Sequence, residues 1–114
     1  MDEKQAVQLI YDALVGSNSI PVKIRMRQGL DQEQFEELKE SIKFLAQRWR
    51  EQEMVPKRVA VAFVNLQSTM EWGRDMYSEV EQDVIEDATN ELIDLAYDLF
   101  EVNPSERSSA EERH

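Results

Sequence analysis

One stretch, residues 78–102, constrains this chain more than any other: SEVEQDVIEDATNELIDLAYDLFEV. Ser78 followed three residues later by Glu81 is a capping box, in which each side chain satisfies a backbone N–H that the first helical turn leaves orphaned. From there Ile85, Ala88, Leu92, Leu95, Leu99 and Val102 step by threes and fours, the spacing that holds apolar groups on one helical stripe. Val84, Ile93, Ala96 and Phe100 widen the stripe to about half the circumference, so the helix is expected to touch two neighbours. Asp83, Asp87, Glu91, Asp94, Asp98 and Glu101 occupy the opposite face as an acidic row. Whatever precedes this segment has to fold into something a long amphipathic helix can pack against.

The preceding segments read mostly as helices. Residues 2–15 form a first one, with Asp2 and Glu3 at its positive end and Val7, Ile10 and Leu14 on one face. Gly16, Ser17 and Asn18 stop it, the glycine being free to turn left-handed past a helix end. A second helix starts at Asp31 and Gln34, another capping-box pattern, and runs to about Glu53. Its seam is the cleanest in the chain: Phe35, Leu38, Ile42, Leu45 and Trp49 step three, four, three, four. Glu36 with Lys39, and Glu40 with Lys43, are neighbours on its wet face. Pro56 opens a third helix over 56–72, antiparallel to the second, with Val59, Phe63, Leu66 and Met70 as seam. Ala60, Ala62 and Val64 make that helix apolar nearly all round, which predicts the most buried one, and Gly73 ends or kinks it.

Residues 20–27, IPVKIRMR, break the pattern. Ile20, Val22, Ile24 and Met26 alternate with Pro21, Lys23, Arg25 and Arg27, a period of two that predicts an extended arm lying over the helices. The fold expected is therefore all-α, a four-helix up-down bundle with a short first helix and an arm at about 20–27. The alternative is α+β, with a small two-stranded sheet from 20–27 and 58–64. Residues 1–102 make one domain, and 103–114, polar and without apolar periodicity, read as a disordered tail.

The charge is −11, from 24 acidic and 13 basic side chains, and it is unevenly placed. Residues 75–106 hold eleven Asp and Glu and no Lys or Arg, whereas residues 22–58 hold nine basic against seven acidic. Such a chain repels nucleic acid and anionic membrane before contact, and favours a basic partner. With no cysteine, thiol catalysis, thiolate metal sites and disulfides are excluded together. The start, MDEKQAVQL, lacks the pattern of a signal peptide, and no apolar run reaches the ~20 residues of a membrane span, so a soluble, cytoplasmic protein is expected.

Little in the sequence points to catalysis. The one histidine is His114 at the end of the tail, which leaves no Ser–His or Cys–His pair to build. Gly16, Gly29 and Gly73 are too scattered for a phosphate-cradling loop. Asp75, Tyr77, Glu79, Glu81, Asp83 and Glu86 fall at the ligand offsets of an EF-hand, but the third is Tyr and Val80 stands where the loop needs Gly. No cofactor or metal is expected, and no enzyme.

Three readings compete for the acidic row. The commonest origin of such a row is a solvated face whose charge keeps copies apart. Alternatively Lys23, Arg25 and Arg27 lie against it. The third reading is a binding surface: residues four apart on a helix are displaced by about 6 Å, close to the interval of phosphates on a nucleic-acid strand, so the row suits a basic groove. A merely wet face also tends to mix Lys with Glu for the sake of i,i+4 pairs, and this one does not. The function expected is a small acidic, non-enzymatic interaction protein that binds or inhibits a basic macromolecule through Asp83, Asp87, Glu91, Asp94, Asp98 and Glu101. The alternative is a structural homo-oligomer joined through off-seam aromatics, Phe44 or Trp72, and behind it a carboxylate metal binder.

Overall fold

Helix by helix, local capping chemistry decides where the chain turns. The computed structural model describes residues 1–71 and 73–101, so Trp72, Val102 and the tail expected over 103–114 lie outside the described residues. Asp2 opens α1 (Glu3–Leu14): its carboxylate accepts from the Gln5 N–H at 2.8 Å, and Gln5 Oε1 accepts from the Asp2 N–H at 3.0 Å. Ala6, Ile10, Ala13 and Leu14 are its buried face. Gly16 is not left-handed; a Cβ there would sit 2.8 Å from the Asp12 carbonyl oxygen, so only a hydrogen fits.

The arm expected over 20–27 is instead a helix, α2 (Ile20–Arg25). Ser19 Oγ accepts from the Val22 N–H at 3.3 Å, and Pro21 sits in the first turn, where its missing N–H costs nothing and its φ is already helical. The period of two concealed a period of four. Ile20 and Ile24 are fully buried, while Met26, the last of the alternating set, is 63% exposed. The helix stops at Met26, and Arg27 (φ 64°) and Gly29 (φ 76°) then turn left-handed. The Tyr77 hydroxyl seals this end, donating to the Ile24 carbonyl at 2.6 Å and accepting from the Gly29 N–H at 3.0 Å. The two-stranded alternative falls with the arm, because residues 58–64 are helical too and no strand occurs among the described residues.

In α3 (Gln32–Arg48), Asp31 Oδ1 accepts from the Gln34 N–H at 3.0 Å, half of the expected box. The Gln34 side chain goes elsewhere: it accepts from Lys23 Nζ at 3.1 Å and donates to the Asn18 carbonyl at 3.1 Å, fastening α3 to α2 and the turn before it. Phe35, Leu38, Ile42, Leu45 and Trp49 are all buried, as the seam predicts. The helix ends earlier than expected, with the Trp49 N–H donating to Leu45 at 2.8 Å.

The single helix expected over 56–72 is two, α4 (Lys57–Val64) and α5 (Leu66–Glu71), broken at Asn65. The Asn65 carbonyl accepts from the Thr69 N–H (2.9 Å) and also from the hydroxyls of Thr69 (2.9 Å) and Ser68 (3.2 Å). Hydroxyls that bond back to a carbonyl one turn earlier bend helices. Nor is this the most buried helix: Val59, Ala62, Leu66 and Met70 face inward, but Val61 is 57% and Val64 73% exposed. An apolar circumference does not guarantee neighbours on every side.

Gly73 is buried against α2, where a Cβ would approach Arg25 Cα to 3.1 Å and the Ile24 carbonyl oxygen to 3.2 Å. A 3-10 turn (Arg74–Met76) follows, and then α6 (Glu79–Phe100), whose Ser78 cap accepts from the Glu81 N–H at 3.2 Å. Ile85, Ala88, Thr89, Leu92 and Leu99 are its buried face. The fold is all-α. α3 lies between α1 and α6; α4 packs on α1, and α5 on α6 and α2, closing a ring around the core. The helical neighbours of α6 are thus α3 and α5, as its broad stripe predicts. No helix among the described residues is long and apolar enough to cross a membrane.

Candidate interaction surface

The acidic row survives folding, with one member displaced. Asp83, Asp87, Glu91, Asp94 and Asp98 are exposed on α6. Glu101 was expected on the same helical face, but α6 ends at Phe100; Glu101 is the C-cap, in extended backbone (φ −86°, ψ 123°) and half-buried. At 1.5 Å per residue the row from Asp83 to Asp98 runs about 22 Å.

The row is not uniform along its length. Lys39 of α3 reaches its middle, donating to Glu91 at 3.0 Å and pairing with Glu36 at 3.0 Å. Its stem lies on the Phe35 ring, with Nζ 4.6 Å from the ring centroid, and the side chain is only 12% exposed. The two carboxylates, Glu91 first and then Glu36, hold the Lys39 ammonium above the ordinary lysine pKa. Arg74 reaches Glu86 at 3.4 Å beside the row. Among the described residues Asp83, Asp87 and Asp94 have no cation within pairing distance.

Internal pairing with residues 20–27 takes a different form from the one expected. Lys23 binds Asp31 Oδ2 at 2.8 Å, and Arg27 Nε donates to Met76 Sδ at 3.2 Å. Lys23, with the Gln34 N–H second, lowers the Asp31 pKa below its ordinary value. Among the described residues, Lys39 of α3 is a cation that meets the row.

A second feature went unread in the sequence. Between α4–α5 and the C-terminal half of α6 runs an open apolar groove of about 540 Å³, lined by Phe63, Val64, Leu66, Ile93, Tyr97 and Phe100, with Gln67 and Glu101 among its polar members. Its floor is the edge-to-face pair Phe63–Phe100, centroids 5.5 Å apart at 85°. Phe100, expected to widen the packing stripe of α6, is 39% exposed and Tyr97 62%, and Val64 stands at the opposite rim. The signal for it in the sequence is the apolar circumference of residues 59–64, which predicts depth where the structure places a groove. A smaller cavity of about 140 Å³ lies near the start of α6, between Leu30, Tyr77 and Val84.

Phe44, expected as a possible dimer anchor, is half-buried against the core with the Arg48 guanidinium 5.4 Å from its ring centroid; Trp72 lies outside the described residues. Among the described residues no group of three or more His, Cys, Asp or Glu side chains is arranged to hold a metal ion. Comparison with protein families, with curated sequences and with solved structures finds no match to this chain.

Proposed function

We propose that this chain is a non-enzymatic interaction protein that binds, and by occupancy inhibits, a basic macromolecular partner through the acidic face of α6. The observation that carries this reading is the charge choice of one helix. α6 holds no Lys or Arg, leaves Asp83, Asp87 and Asp94 exposed with no cation beside them among the described residues, and places Asp98 in a last turn where the helix dipole disfavours negative charge. Each such choice forgoes about 0.2–0.5 kcal/mol that a Lys at i+4 would supply. Stability alone would have selected the mixture seen on α3.

A row of carboxylates one helical turn apart suits a partner groove that otherwise meets phosphates, and complementary fields speed and select that encounter. Lys39 divides the row at Glu91, so the two strongest contacts fall on either side of it, at Asp83–Asp87 and at Asp94–Asp98. The ring of helices is read here as a four-helix up-down bundle with its third member broken at Asn65, and the setting as cytoplasmic.

The test is capture of basic proteins from native lysate at low and high salt, wild type against Asp83→Asn/Asp87→Asn/Asp94→Asn. Wild type is expected to retain a basic protein that salt releases and the variant loses. If both capture the same proteins, or neither captures any, the row is a solvated face and the proposal fails.

A further inference from the structure

We infer that Met76 is a redox-sensitive joint: a hydroperoxide oxidises its thioether to the sulfoxide, and Arg27 holds the new oxygen, tightening the junction of α2 with the turn before α6. The inference is independent of the reading of the acidic row, and neither stands or falls with the other.

Three observations meet at this sulfur. Arg27 Nε donates to Met76 Sδ at 3.2 Å, so a guanidinium goes to one of the weakest acceptors a protein offers. Among the described residues no carboxylate lies within pairing distance of Arg27. Met76 is 40% exposed, open enough for a small peroxide to reach the sulfur and for an oxygen to be added on the solvent side. Its methyl group rests by Gly73, where a Cβ would come within 2.9 Å of Met76 Cε.

The position gives the contact its leverage. Arg27 stands left-handed, and the amides of residues 27, 28 and 29 close the end of α2. They donate to the Ile24 carbonyl (3.0 Å), the Lys23 carbonyl (2.9 Å) and the Tyr77 hydroxyl (3.0 Å). A firmer hold on the Arg27 side chain from residue 76 is therefore a firmer hold on that turn.

In the oxidation, a sulfur lone pair attacks one peroxide oxygen, and the S–O bond forms as the O–O bond breaks. Sulfur gives up two electrons, and the other oxygen leaves as water, taking the proton of the oxygen transferred. The sulfoxide oxygen is strongly polarised, so the contact with Arg27 becomes a charge-assisted hydrogen bond, shorter and stronger than a neutral one.

The experiment treats the full chain with dilute hydrogen peroxide and locates the oxidation by mass spectrometry. The tryptic fragment 75–107 holds Met76 as its one methionine, and Met54, 79% exposed, is the internal reference. Amide exchange is then read at residues 27–29. Treated wild type is expected to exchange there about threefold more slowly than untreated, and methionine sulfoxide reductases of both epimer specificities to restore the rate. Met76→Leu and Arg27→Gln, treated alike, should show no slowing; two variants keep the test decisive where one fails to fold. Unchanged or faster exchange in treated wild type overturns the inference, as does oxidation of Met54 with Met76 left intact. Equal slowing in Met76→Leu puts the effect at another methionine, and slowing that survives Arg27→Gln removes Arg27 from it. Either result overturns the joint.

Discussion

α3 and α6 lie side by side and solve the same problem differently. α3 buries all five members of its seam, mixes Lys39, Lys43 and Arg48 with its glutamates, and lets Lys39 lock onto its neighbour. α6 buries Ile85, Ala88 and Leu92 just as deeply, then opens: Tyr97 and Phe100 are exposed, and its polar face is acidic without relief. Both are amphipathic, and the period of three and four is equally clear in each. What separates them is that α3 offsets its glutamates with Lys39, Lys43 and Arg48, whereas α6 carries no Lys or Arg on its polar face. Residues that a fold does not require are where a binding role is to be sought.

The sharpest way to break that comparison is to cut each helix in turn. Leu38→Ala on α3, at a fully buried position, is expected to lower stability by about 2–5 kcal/mol in urea unfolding, and Tyr97→Ser on α6 by under about 0.5 kcal/mol. Similar losses would mean that the groove is part of the core. Next in size is Tyr77→Phe. It strips the hydroxyl from between the Ile24 carbonyl and the Gly29 N–H and should cost about 1–3 kcal/mol, with hydrogen exchange at residue 29 accelerating. An unchanged midpoint would show that solvent replaces the hydroxyl at both ends.

Lys39→Met probes the seam between the two helices, at about 0.2–1 kcal/mol. Because Glu91 and Glu36 raise the Lys39 pKa in the folded state, its contribution is fully present below the ordinary lysine value of about 10.4 and lost as pH climbs through the raised one. The wild type should therefore lose stability on that alkaline limb, and the Met variant should lose less of it. Asp31 works in the opposite sense, its depressed pKa giving stability above the ordinary carboxylate range that disappears as acid titrates the folded state. The smallest effect is expected from Asp83→Asn/Asp87→Asn/Asp94→Asn, within about 0.5 kcal/mol and on the stabilising side at low salt, since it relieves self-repulsion. A large destabilisation would make the row structural.

How much of this was legible follows from how local each cause is. The seam of α3 and the cap at Ser78 are written in adjacent residues, and both are found where the spacing puts them. The helix at Ile20–Arg25 was hidden because Ile20, Val22 and Ile24 fit two periods at once. The deciding contacts, Ser19 beneath Val22 apart, come from Tyr77 and Gly73, some fifty residues away. The break at Asn65 lay in the side chains of Ser68 and Thr69, which a count of apolar residues passes over. Depth was the least legible property: Val61 and Val64 look like core, and only the position of the neighbouring helices leaves them outside. The acidic row could be read from the sequence, but the groove beside it joins residues thirty apart and could not.

The junction at Tyr77 carries one more consequence, about timing. A six-residue helix cannot hold itself together in water, and α2 is anchored through a hydroxyl and a glycine that arrive with residues 73–77. Until that later segment docks, the C-terminal end of α2 lacks the contacts that close it. The two pieces therefore open and close as one unit, so that amides in α2 should report the same opening free energy as those in the turn before α6, although the chain separates them by half its length.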